Sequence, residues 1–261
     1  MGRVLAVANQ KGGVGKTTTA INLGACLAER GQKVLLADVD PQGNATTGLG
    51  ISKTGDGPSM YEVLVDGGAV RDSILPTQVE GMHVVPGSVD LAGAEIELVS
   101  LQRREFRLRD ALEEVRERYD YILLDCPPSL GLMTLNALVA ADAVLIPLQT
   151  EYYALEGLTQ LLRTVQMVQG GLNPGLTVDG IVLTMFDART NLSIQVADEV
   201  KRHFPDQVYR TVIPRNVRLS EAPSHGRPIS RYDPRSRGTE VYRELAQEVL
   251  VRGKAGTGAR A

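Results

Sequence analysis

Gln10-Lys11-Gly12-Gly13-Val14-Gly15-Lys16-Thr17-Thr18 is the stretch from which the rest of the chain can be read. It lies between an apolar, β-branched run at 4–8 and a helix-period segment at 17–30. In that segment Ala20, Leu23, Gly24 and Leu27 share a face and Gly31 supplies the stop. Glycines in a strand–loop–helix turn let the backbone wrap closely around a polyphosphate with successive N–H groups pointing inward. The helix N-terminus adds positive potential at the same point. Lys16 can then reach the β and γ phosphates, and the Thr17 hydroxyl a Mg2+ ion. The common phosphate-loop pattern begins with glycine at position 10. Gln10 stands there instead, followed by an extra lysine, Lys11.

Outward from this loop, short apolar runs at 33–37, 82–85, 121–124, 143–147 and 178–184 alternate with helix-period segments at 105–118, 155–168, 192–203 and 239–251. Near-continuous apolar strands suit a parallel sheet covered on both faces, and the βαβ alternation predicts an α/β fold with one doubly wound, mainly parallel sheet. A single domain is expected over 1–252. The segment 46–58, rich in Gly, Thr and Ser, is expected as a flexible loop, and the small polar stretch 253–261 as a disordered tail. The chain has 261 residues, 43% hydrophobic and 23% charged, which suits a normal core. No apolar run approaches the roughly 20 residues that cross a bilayer. Met1–Asn9 runs straight into strand-like sequence, so no cleavable leader is expected. Two cysteines, Cys26 and Cys126, are too few for a secreted disulfide scaffold, and a cytoplasmic location is expected.

Two further acidic motifs sit at predicted strand ends, where open α/β sheets place ligands. In Asp38-Val39-Asp40-Pro41-Gln42-Gly43-Asn44, Asp38 is the expected structural cap and Asp40 the carboxylate expected beside the phosphate loop. In Asp125-Cys126-Pro127-Pro128, Asp125 is placed to hold Mg2+ opposite Thr17, through a coordinated water. The plainer alternative for either aspartate is a helix or turn cap.

Lys11 to Thr18 resembles the deviant Walker A motif of the ParA/MinD ATPase family. Asp38–Asn44 resembles that family's second motif, and Asp125–Pro128 its Walker B segment. Ile213-Pro214-Arg215-Asn216 and Glu221-Ala222-Pro223-Ser224-His225-Gly226-Arg227-Pro228-Ile229 are similar to the ParA branch, the chromosome-partitioning type called Soj. The resemblance runs from Met1 to about Val251 and implies the P-loop NTPase fold, with ATP and Mg2+ as ligands. It implies that Lys11, Gly12, Gly13, Val14, Gly15, Lys16, Thr17 and Thr18 line the nucleotide and that Asp40 orients the attacking water. Lys11 would cross a two-fold interface to the partner copy's nucleotide, as an arginine finger does. Met185, Pro214 and Asn216 would border the adenine.

From Lys201 to Arg237 nine basic residues face three acidic ones, within a chain of formal net charge −3. An acidic protein with one basic stretch fits contact with a polyanion. The family resemblance implies non-specific DNA binding by an ATP-loaded homodimer, with Arg189, Lys201, Arg218, Arg202, Arg215, Arg227 and Arg231 as candidate contacts. It also implies slow hydrolysis stimulated by a ParB-like centromere-binding partner, a nucleoid-associated location, and no sequence-specific operator binding. Three other classes compete. A MinD-like membrane-associated ATPase needs a basic amphipathic C-terminal helix, whereas 243–252 reads as a core-docking helix. An iron–sulfur reductase needs cluster cysteines, whereas Cys26 and Cys126 read as buried thiols. A small-molecule ligase needs an acceptor pocket that no motif supplies.

Overall fold

The computed structural model describes residues 1–55 and 57–258. Its strands are β1 Arg3–Val7, β2 Val34–Asp38, β3 Leu75–Pro76, β4 Met82–Val85, β5 Tyr121–Asp125, β6 Ala143–Gln149, β7 Thr177–Phe186 and β8 Val208–Pro214. They form one sheet in the order β3-β4-β2-β5-β1-β6-β7-β8. All neighbours are parallel except β3 and β4, so the doubly wound α/β fold forms as expected. The reason lies in the strand sequences. Successive side chains alternate between faces, and in β1 Val4 and Ala6 enter one apolar layer while Leu5 and Val7 enter the other. Both faces must therefore be covered.

The first layer is covered by α3 Leu91–Glu97, α4 Arg107–Leu112, α5 Leu132–Ala140, α6 Ala154–Gln169 and α7 Asn191–His203. The second is covered by α1 Lys16–Ala28 and α10 Arg237–Gly258, with the short helices α2 Asn44–Gly48, α8 Val217–Glu221 and α9 Ile229–Tyr232 beside them. Leu23, Leu27, Leu245 and Val249 are fully buried there, each contributing about 2 kcal/mol of transfer free energy.

Three local expectations change. The helix predicted over 105–118 is two pieces, α4 and a 3-10 turn at Arg116–Arg118. The loop predicted over 46–58 begins inside α2, where Thr46 is fully buried because it caps Asp38. The edge strand β3, which has no counterpart among the predicted strands, is only two exposed residues. The last helix continues past Val251 to Gly258. Arg252 holds it down, with its guanidinium 4.0 Å from the Tyr209 ring centroid and donating to the carbonyls of Asp179 (3.0 Å) and Val208 (2.9 Å). The first six residues of the expected 253–261 tail are thus helical, and 259–261 lie outside the described residues.

Candidate active site

The C-terminal ends of β1, β2 and β5 converge. Val7 and Asp38 both pair in register with Asp125, so the loop after β1 and the two acidic motifs share one edge of the sheet. Gly13 and Gly15 have φ of 75° and 87°, a left-handed backbone that glycine adopts without a Cβ clash, and Gly15 leads directly into α1. Two long-range hydrogen bonds and one local one fix the loop. Asn9 Nδ2 donates to the Pro147 carbonyl (2.7 Å), while Asn9 Oδ1 accepts from the Lys11 N–H (3.1 Å). Thr184 Oγ1 donates to the Val14 carbonyl (2.8 Å). Neither Asn9 nor Thr184 was among the sequence candidates, because each acts through a partner far along the chain.

Lys16 is buried and its Nζ donates to the Lys11 carbonyl across the loop (2.9 Å). Burial pulls its pKa down, opposed by the nearby Asp125, Cys126 and Asp40. Lys11 points the other way. Its ammonium pairs with Glu151, which follows β6, and its side chain stays 41% exposed. The two lysines thus occupy one loop but different environments.

Asp38 is fully buried and accepts from the Thr46 N–H (2.8 Å), the Thr46 hydroxyl (2.7 Å) and the Asp40 N–H (3.3 Å). Burial raises its pKa to about 6 against those donors. This is the capping geometry expected of it. Asp40 Oδ1 accepts from the Gln42 N–H (2.9 Å), an Asx turn that orients the carboxylate beside the loop. Asp125 is also fully buried, and neither of its oxygens has a partner in hydrogen-bond geometry. Burial, then the Asp38 charge, push its pKa well up, while the neighbouring Thr17 hydroxyl and Lys16 act in the opposite sense. An orphaned buried carboxylate beside a hydroxyl is an unfavourable arrangement unless a cation completes it. The residues therefore fit a Mg2+ ion.

A cavity of about 150 Å3 adjoins the loop, lined by Gly15, Thr18, Thr184, Met185, Pro214 and Asn216 together with Leu219 and Tyr242. Met185, Pro214 and Asn216, predicted to border a base, are thus brought to the same hollow as Thr18. Met185 takes a φ of 50° there, an uncommon conformation for a non-glycine residue. Asn216 Oδ1 caps α8 by accepting from the Arg218 N–H (2.8 Å).

A family profile described as an AAA domain matches residues 2–178. The sporulation initiation inhibitor protein Soj of Bacillus subtilis is 63% identical over 253 residues, covering 97% of this chain and 100% of that protein. The chromosome partitioning protein ParA of Caulobacter vibrioides is 57% identical over 252 residues, covering 96% and 94%. The chain belongs to the ParA/MinD family of ATPases, on the ParA/Soj branch. A Mycobacterium smegmatis structure described as cobyrinic acid a,c-diamide synthase with bound ATP analog and magnesium superposes with a TM-score of 0.86. It is 41% identical and covers 98% of this chain and 97% of that one. That description is of the mycobacterial protein; the Soj and ParA relatives are more similar to this chain in sequence.

In this ParA/Soj chain the seven candidate DNA-contacting residues are all exposed, but they are not equivalent. Arg189 is held by the Asp187 carboxylate (2.9 and 2.8 Å), which keeps Asp187 below the usual carboxylate range. Arg218 pairs with Glu221 (2.9 Å) and Arg202 with Glu199 (3.1 Å). Among the described residues Lys201, Arg215, Arg227 and Arg231 have no ion-pair partner. Both cysteines are buried, and burial pushes the Cys26 thiol up to about 12 and the Cys126 thiol further. Thiols in such surroundings stay protonated and inert.

Proposed function

We propose that the chain binds ATP with Mg2+ at the phosphate loop, pairs face to face with a second copy, and in that state holds DNA without regard to sequence. Hydrolysis, stimulated by a ParB-like partner, then releases it, and the cycle positions or segregates replicated DNA on the nucleoid. One observation carries this reading. Lys16 is committed to the interior of its own loop, whereas Lys11, from the same loop, turns away from it to a partly exposed pair with Glu151 and keeps a side chain 41% exposed. A second lysine is not needed within one subunit, but it can supply charge to a triphosphate in another.

The residues divide the work accordingly. Backbone N–H groups of Gly12 to Thr18 surround the phosphates, and Lys16 neutralises them from within. Thr17 and, through water, Asp125 would hold Mg2+, which when bound neutralises charge on the phosphates. Asp40, fixed by its Asx turn, orients the attacking water. Met185, Pro214 and Asn216 border the base. Because the triphosphate is shared by lysines of two copies, its loss removes the bridge between them. This is a population shift by differential affinity. The exposed cations Lys201, Arg215, Arg227 and Arg231, with Arg189, Arg202 and Arg218, contact phosphates, which requires no base reading.

Membrane attachment is the second reading. No helix among the described residues is long and apolar enough to cross a membrane. The apolar residues Val241, Leu245 and Val249 of α10 are buried against the sheet rather than offered to a lipid surface.

The test is gel filtration with light scattering, alongside DNA binding, in ADP, in ATP, and in ATP with Asp40→Ala. The last should trap a DNA-bound dimer. Lys11→Ala should bind nucleotide yet remain a monomer. A Lys11→Ala protein that still dimerises with ATP would falsify the shared-charge mechanism.

A further inference from the structure

The phosphate loop and the basic segment are joined by one buried side chain. Asn22 stands one helical turn after Thr18 in α1 and is 3% exposed. Its Nδ2 donates to the Thr18 carbonyl at 2.7 Å, and its Oδ1 accepts the backbone N–H of Ile229, the first residue of α9, at 2.7 Å. The amide orientation is determined by its partners, since a carbonyl can only accept and an N–H only donate. Pro228, which precedes α9, supplies no side-chain cap, so Asn22 performs that service from another helix.

A second contact runs in parallel. Gly226, with φ of 62°, lies so close to Gly50 that a Cβ on it would fall 2.6 Å from the Gly50 Cα. Gly50 ends the short chain that leaves Asp40 through α2. Leu219, between Arg218 and Arg227, lines the same cavity as Thr18. The stretch 215–232 is therefore docked on two pieces of chain beside the nucleotide site, α1 at Asn22 and the segment after Asp40.

We propose that Asn22 is a positioning residue that transmits occupancy of the phosphate loop to the basic segment. A triphosphate seated on the loop would bind the first turn of α1, which carries the Thr18 carbonyl. The Asn22 amide carries that restraint to Ile229, and Arg227 and Arg231 on either side of Ile229 take up the arrangement that holds DNA. This inference rests on the proposed DNA-binding role of the segment and adds the link between the two sites. Asparagine is suited to it because one planar group offers a donor and an acceptor in opposite directions. Aspartate keeps the acceptor for Ile229 but turns a repulsive oxygen toward Thr18, and alanine removes both.

The experiment is hydrogen exchange of the peptide spanning 226–232 with ADP and with ATP, in the Asp40→Ala background, together with DNA affinity in both nucleotides. With Asn22 intact, ATP should slow exchange of the Ile229 amide by about tenfold or more relative to ADP. Asn22→Asp should bind nucleotide within about threefold of the parent, lose most of the ATP-dependent slowing, and lose about tenfold in the ratio of DNA affinities between ATP and ADP. Gly226→Ala, which breaks the other contact, should reduce the same ratio. A merely structural Asn22 would lower thermal stability in Asn22→Ala while Asn22→Asp kept the full nucleotide response, and that result overturns the link. So does an Ile229 amide indifferent to nucleotide in the parent. If exchange responds as stated and no form binds DNA, the link stands and the DNA-binding reading falls.

Discussion

Glu151→Gln tests the state of Lys11 directly. In this chain Lys11 is tied to Glu151 of its own subunit, and a lysine so tied must leave that carboxylate before it reaches a partner's nucleotide. The pair is partly exposed, 41% for the lysine side chain and 29% for the glutamate. Its worth is therefore that of a screened surface pair, about 0.2–1 kcal/mol. A two-fold dimer breaks two such pairs, so their removal should favour dimerisation by about 0.4–2 kcal/mol, or roughly 2- to 30-fold in the dimer dissociation constant. The assay is light scattering across a protein dilution series at saturating ATP and low salt, with Asp40→Ala in both proteins to hold hydrolysis constant. Glu151→Gln should dimerise at lower concentration. The difference should vanish near 1 M salt, where the screening length is about 3 Å. Equal or weaker dimerisation by Glu151→Gln at low salt would show that Glu151 does not compete for Lys11, and the reasoning fails.

Three other outcomes follow from named contacts. Asp38 has a raised pKa of about 6, so the folded state holds its proton more tightly than the unfolded chain. Stability from this group is present below about pH 4 and lost as pH rises through 6, by about 3 kcal/mol in all. Urea midpoints between pH 4.5 and 7.5 should therefore fall less for Asp38→Asn than for the parent, and parallel curves would contradict the assignment. Thr184→Val keeps the shape but leaves the Val14 carbonyl without its donor. The loss of about 1–3 kcal/mol at a buried acceptor should appear as weaker binding of a non-hydrolysable ATP analogue by calorimetry, and unchanged affinity would show that the bond does not order the loop. Four unpaired cations per subunit, doubled in a dimer, predict a slope of roughly −7 for log DNA affinity against log salt. Arg215→Ala should flatten it more than Arg189→Ala, whose guanidinium is already neutralised by Asp187; the reverse order would mean that intrachain pairing does not decide which arginines reach DNA.

The parts legible in sequence share a physical cause. A phosphate is recognised by consecutive backbone N–H groups, so Gly12 to Thr18 must be contiguous and the glycines show themselves. Asp38, Asp40 and Asp125 were legible because they stand at the ends of apolar strands, where residue type and position are both visible. The sequence reads 105–118 as one helix because amphipathic spacing persists across the break after Leu112; side-chain period records burial, not continuity of backbone hydrogen bonds. Thr46 carries no signal of its own in the sequence, because its role exists only once Asp38 is buried beside it.

The residues that sequence reasoning missed are the ones that restrain the motif rather than compose it. Asn9 reaches Pro147, Thr184 reaches Val14, and Asn22 reaches Ile229, across separations of 138, 170 and 207 residues. Each uses an uncharged amide or hydroxyl, which carries no local signature in a chain with many such groups. Yet these ties decide how much of the loop's order is present before a nucleotide arrives. A loop held to Pro147 and Thr184, and leading into a helix held to Ile229, by buried hydrogen bonds loses less conformational freedom on binding. Any change in its shape must also be passed to the strands and helices to which it is tied. In the proposed link, the same long-range bonds that preorganise the site are the ones through which it would signal.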